Sequence, residues 1–79
     1  MLKQFDSVQI TRLSATPAAD GLAINRRPPR VGDIAVIVEV YQKPSLGYEL
    51  ECTAAGQTEW LCTFPARNIG LELVSRREP

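Results

Sequence analysis

The sequence predicts a mainly β domain, a small five-stranded SH3-like barrel with a long loop after strand 1 and a single helical turn before the last strand. Three observations carry this. Gly32-Asp33 is a turn signal that opens into the β-branched run Ile34-Ala35-Val36-Ile37-Val38-Glu39-Val40-Tyr41; branched side chains are stiff and pack well on a pleated, half-buried surface. Two later stretches alternate apolar and polar residues across a short Gly-containing link, as hairpin strands do. A chain of 79 residues has room for one core, so one domain over 1–79 is expected, its core over about residues 5–74.

The elements follow in order. From Phe5 to Leu13, Asp6, Val8 and Ile10 share one face and Ser7, Gln9 and Thr11 the other, which reads as a strand with one wet side. Residues 14–33 carry Pro17, Gly21, Pro28, Pro29 and Gly32. That is too long for a hairpin turn and too proline-rich for more than one helical turn, near Ala18. Leu22 and Ile24 are expected to tuck this loop against the body, and long loops of compact domains are a first place to look for a binding surface. In the second strand, Asp33 to Tyr41, the row Ile34, Val36, Val38, Val40 alternates with Ala35, Ile37, Glu39, Tyr41. Apolar residues in both rows predict a bent strand covered in part on both faces. Residues 43–47 form a turn.

Tyr48–Thr53 and Thr58–Phe64 make a hairpin across Ala54-Ala55-Gly56-Gln57. Placing Cys52 opposite Trp60, Leu50 opposite Cys62 and Tyr48 opposite Phe64 gathers all six on one buried face. Glu49, Glu51, Glu59 and Thr63 then lie outside, with Leu61 the apolar exception. A one-residue slip would break the sorting, so the pattern selects the register. Residues 65–70 read as a tight helical turn, Leu71–Val74 as the last strand, and 75–79 as a charged, frayed tail. An oligonucleotide-binding-type barrel is the nearest competitor, but it usually has longer strands and a helix between the third and fourth.

Nine basic and nine acidic residues give zero net charge, against the strongly basic balance of domains that neutralise many phosphates. No apolar run approaches the roughly 20 residues that cross a bilayer. The start Met1-Leu2-Lys3-Gln4-Phe5-Asp6 carries no apolar signal region, so a cytoplasmic home is expected, with no membrane partner. A core this small makes a partner protein or self-association a live expectation.

There is no histidine, and the two cysteines, ten residues apart, suit neither a four-ligand zinc site nor a redox pair. In the hairpin register both face the core, where reduced, inert thiols are expected. No glycine-rich phosphate loop and no nucleophile turn stands in the chain. No catalytic residue, metal or cofactor is therefore expected; Glu49 with Glu51 as an acid–base couple is outweighed by a solvated sheet face. The candidate contact residues are Arg26, Arg27 and Arg30 of the stiff Arg26-Arg27-Pro28-Pro29-Arg30 segment, with an adjacent rim around Tyr41, and a second, acidic patch of Glu49, Glu51 and Glu59. Arginine forks suit carboxylates or phosphates, and prolines lower the entropy lost on binding. The plainer alternative is that the arginines pair with the acidic sheet of their own domain. Trp60 reads as the core anchor, since it buries the most area.

The run Val31-Gly32-Asp33 with Val36-Ile37-Val38-Glu39-Val40-Tyr41, then Tyr48-Glu49-Leu50-Glu51 and Leu71-Glu72-Leu73, resembles the small bacterial proteins grouped as domain of unknown function family 4926. The likeness spans roughly Phe5 to Val74. Ala35 stands where that family has Gly in the strand, and Cys52 at its Phe position. The resemblance implies an SH3-like β fold and brings no activity or catalytic residue; such proteins can be encoded beside toxin genes, which suggests an immunity or antitoxin role. The function expected is a non-catalytic protein-interaction module, its partner another protein such as a toxin. The alternative is a nucleic-acid-binding SH3-like barrel using the arginine loop.

Overall fold

The computed structural model describes residues 1–14 and 26–76. The turn expected near Ala18, the packing of Leu22 and Ile24 and the end of the tail (77–79) lie outside the described residues. The strands are β1 (Ser7–Leu13), β2 (Ile34–Tyr41), β3 (Gly47–Ala54), β4 (Gln57–Pro65) and β5 (Ile69–Ser75), with one 3-10 turn at Ala66–Asn68. They form one antiparallel sheet in the order β4-β3-β2-β1-β5. The mainly β class is as the sequence predicts. Barrel closure is not seen: β4 and β5 are the two edges, and no ladder joins them among the described residues.

The β3–β4 hairpin has the register that its hydrophobic pattern selects, with Tyr48 opposite Phe64, Leu50 opposite Cys62 and Cys52 opposite Trp60. All six are buried, and Trp60 meets Phe64 edge to face at 6.0 Å between ring centroids. Ala55 and Gly56, both at positive φ (53° and 78°), make the tight link, the backbone that a two-residue hairpin turn of the right twist requires. β2 supplies Ala35 and Ile37 to the same core, leaving Ile34 and Val36 exposed on the outer face. A bulge between Ile37 and Glu39 explains why both rows of this strand look apolar. Ile37 pairs with buried Leu50, whereas beyond the bulge it is Val40 that pairs with buried Tyr48. The inward row therefore changes parity at Val38.

β1 and β2 begin in the same way. At Arg30–Asp33 the Asp33 amide donates to the Arg30 carbonyl (3.1 Å), the Arg30 amide donates to Asp33 Oδ2 (2.9 Å), and Gly32 takes φ 98°. At Lys3–Asp6 the Asp6 amide donates to the Lys3 carbonyl (3.1 Å), the Lys3 amide donates to Asp6 Oδ2 (2.8 Å), and Phe5 takes φ 73°. Each turn then pairs with the opposite strand four residues past the other aspartate: Phe5 and Asp6 with Ile37, Gly32 and Asp33 with Ile10. The first strand therefore starts at Ser7, and Phe5, expected inside it, is a turn residue in a conformation that suits glycine. An arginine holds each aspartate. Arg76 donates to both oxygens of buried Asp6 (3.0 Å each) and to the Met1 carbonyl. Its hydrogen bond holds the Asp6 carboxyl below the usual aspartate range, against the opposing effect of burial. Of the segment expected as a frayed tail, Ser75 closes β5 and Arg76 is tied to Asp6.

β5 lies against β1, with Gly70 opposite Arg12 beside a second bulge. A Cβ on Gly70 would come within 2.8 Å of Thr11 Oγ1 and 3.0 Å of Arg12 Cβ. The hydroxyl can rotate away, but the Arg12 Cβ is anchored to the strand. Gly70→Ala is therefore expected to destabilise by about 1–2 kcal/mol, a drop of roughly 5–15 °C in Tm by thermal circular dichroism. An unchanged Tm would show that the β1–β5 ladder yields at this point.

Candidate functional site

The strand register places a trough on the outer face. Tyr41 pairs with Gly47, and Gly47 pairs with Pro65, so a cross-strand row runs ring, glycine, ring over β2, β3 and β4. With no side chain in the middle, the row is hollow, and Gly47 forms a buried floor between two bulky walls. The turn 43–46 and the 3-10 turn flank it; the Ala66 amide donates to the Leu46 carbonyl (2.9 Å), which ties the two together. The result is a groove of about 360 Å³ lined by Tyr41, Lys43, Pro44, Leu46, Pro65 and Arg67 among others. Its walls are tyrosine and proline, and its two cations are Lys43 and Arg67.

The next row on the same face is acidic. Glu39 and Glu49 stand directly opposite one another. Desolvation first, then the Glu49 and Glu39 charges, raise the Tyr41 pKa above the ordinary tyrosine value. Tyr41 thus stands between the acidic row and the groove that it lines.

The arginine segment does a different job. Arg27 donates from Nη1 to Asp33 Oδ2 (2.9 Å) and from Nη2 to Asp33 Oδ1 (3.1 Å), and its Nε lies 3.6 Å from Glu59. Trp60 Nε1 donates to the same Asp33 Oδ2 (3.0 Å), and the Arg26 amide donates to the Glu59 carbonyl (2.7 Å). Residues 26–33 therefore cross from β4 back to β2 as a strap over Trp60, with Pro29 buried beneath it. Burial pushes the Asp33 pKa up, but the hydrogen bonds from Arg27, the Arg30 amide and Trp60 outweigh it, and the carboxyl sits below its usual range. Cys52, contacted by Arg27 Nη2 at 3.8 Å, has its thiol pKa raised by burial, the opposite of a reactive cysteine.

The candidate residues thus separate. Arg27 is committed to Asp33 and Glu59, whereas the Arg26 and Arg30 side chains are exposed. Tyr41 is not adjacent to them: it ends β2, and the strap joins the start of that strand, on the order of 20 Å away along eight residues. The glutamates have different neighbours: Glu49 stands opposite Glu39 on β2, and Glu51 accepts from the Thr58 hydroxyl (2.6 Å). Glu59 is the extra residue of a bulge, since Cys52 pairs with Trp60 but Thr53 with Thr58, and it is drawn to Arg27. The groove residues Lys43, Pro44, Leu46, Pro65 and Arg67 lie in segments that read as plain turns. Their only sequence signal is a proline at each turn, and nothing local says that the two turns meet.

Among the described residues no group of three or more His, Cys, Asp or Glu is placed to hold a metal ion, and no helix is long and apolar enough to cross a membrane. Compared with family models, curated proteins and solved structures, the chain matches none.

Proposed function

We propose that this chain is a non-catalytic protein-interaction module built as an SH3-like barrel, and that its contact surface is the groove between Tyr41 and Pro65. The observation that carries the reading is that groove: an exposed, tyrosine- and proline-walled trough of about 360 Å³ with a glycine floor, the concave, mostly apolar form that recognition sites take. The barrel reading is supported by the strand order β4-β3-β2-β1-β5, the long connection after β1 and the 3-10 turn between β4 and β5. Kinship with the small bacterial family named above belongs to the same proposal, as does neutralisation of a toxin as the purpose of the contact. A reducing, cytoplasmic setting suits Cys52 and Cys62, which are buried and not joined in a disulfide.

The test compares the tagged protein with its Tyr41→Ala variant in pull-downs from its own cells. Tyr41 is 40% exposed, so the variant keeps the core. One protein retained near stoichiometrically by the wild type, lost with Tyr41→Ala and bound again when both are purified is the expected result. Retention of the same proteins by both, or of nucleic acid alone, overturns the assignment; nucleic acid alone would restore the alternative barrel.

A further inference from the structure

We infer that the groove takes an extended acidic peptide segment, with a proline or apolar residue seated between Tyr41, Pro44 and Pro65 and carboxylates on Lys43 and Arg67. This rests on the interaction-module reading and names the chemistry of its partner. The shape and the charges point the same way. The trough is open at the surface and one residue wide, set by the single glycine between Tyr41 and Pro65, which suits an extended chain.

The charge argument turns on pairing. The chain carries nine acidic residues for nine basic ones, and Arg27 and Arg76 each close on an aspartate. Lys43 and Arg67, both exposed, have no acidic partner within 4.0 Å among the described residues. Two exposed cations without a carboxylate partner therefore line an apolar trough. The acids close to the groove, Glu39 and Glu49, stand opposite one another in the next row of the sheet, and their charges act on Tyr41. They repel an anion there and leave the cationic side as the place for carboxylates. The groove is thus electrically one-sided, which gives a bound segment a single preferred seating. The same asymmetry disfavours single-stranded nucleic acid. That ligand wants successive stacking rings along a continuous basic track, and here one ring stands beside a pair of glutamates.

The experiment pans a random heptapeptide library on the whole immobilised protein, with Tyr41→Ala as the counter-selection. Enriched peptides are then synthesised and their affinities measured against the wild type and a Lys43→Gln/Arg67→Gln variant. Thermal denaturation checks that each variant is folded. The expected outcome is enrichment of Asp or Glu next to Pro or an apolar residue, with affinity falling about five- to tenfold in the double variant, as loss of two exposed ion pairs implies. Tyr41-dependent peptides that are neutral or basic, or acidic ones indifferent to the double variant, overturn the acidic assignment and leave the interaction module standing. No Tyr41-dependent enrichment overturns both, and binding of an oligothymidylate at the groove would then assign it to nucleic acid.

Discussion

Replacing Trp60 with alanine is expected to leave little folded protein at 37 °C. Trp60 is fully buried, stacks edge to face on Phe64 and donates its indole N–H to Asp33. Large-to-small substitution of a buried tryptophan costs about 3–5 kcal/mol. A chain of 79 residues has a total of about 4–12 kcal/mol to lose. The core has no second large residue that could slide in, because its other members are fixed in register across from one another. A fall in Tm of about 15–30 °C follows, measured by far-ultraviolet circular dichroism. Trp60→Phe keeps most of the volume and removes the indole N–H with the rest of the second ring, and a loss of about 1–2 kcal/mol is expected. If Trp60→Ala melts within about 5 °C of the wild type, the strap and sheet do not close on this residue as the geometry indicates.

Where the sequence was informative follows from what its patterns encode. A two-residue period reports which side chains share a face, so the β3–β4 register from Tyr48–Phe64 to Cys52–Trp60 and the buried six were readable. Asp6 falling in step with Val8 and Ile10 was the same kind of signal: the carboxylate does point inward, and Arg76 meets it there. The period carries no notice of a bulge. At Val38 and again at Glu59 an extra residue changes the parity, which sent Ile34 and Val36 outward and turned Glu59 from the outer face to Arg27. The Gly32-Asp33 turn was legible because glycine advertises positive φ; its twin at Phe5-Asp6 was hidden because phenylalanine does not. The groove was the least legible part. Tyr41 was visible as a candidate, but the trough exists only because two turns separated by about twenty residues are brought to the ends of one cross-strand row. The arginine segment stood out for its composition, and composition cannot tell a fork that awaits a partner from one already closed on Asp33.

Arg27→Met is expected to destabilise the protein by about 2–3 kcal/mol at pH 7, with the loss shrinking as the pH falls. The pair is mostly buried, the side chains being 24% and 13% exposed. Removing the guanidinium leaves the Asp33 charge facing only the Arg30 amide and the Trp60 indole. Breaking a fully buried pair costs about 3–5 kcal/mol, and the partial exposure of Arg27 places the expected value below that. In the wild type the Asp33 pKa is below its ordinary value, so the carboxylate adds stability above the unfolded pKa of about 3.9, lost as the pH falls through the folded value. Without Arg27 its hydrogen bonds and charge no longer lower the pKa. The ionised carboxylate is then held less well at neutral pH, and the difference disappears when the group is protonated. The two proteins' urea-derived stabilities should therefore lie far apart at pH 7 and converge below about pH 4. The Asp6–Arg76 pair has the same acid dependence in both and cancels in the difference. Adding Asp33→Asn to Arg27→Met keeps an acceptor for Trp60 without the charge, so the double variant is expected to be more stable than Arg27→Met alone at pH 7. A pH-independent gap, or a double variant no better than the single, would mean that Arg27 acts through its contact with Cys52 rather than through the charge it neutralises. In either case Arg27 holds the strap, so a partner that needs the arginines can draw only on Arg26 and Arg30 without loosening the cover of Trp60.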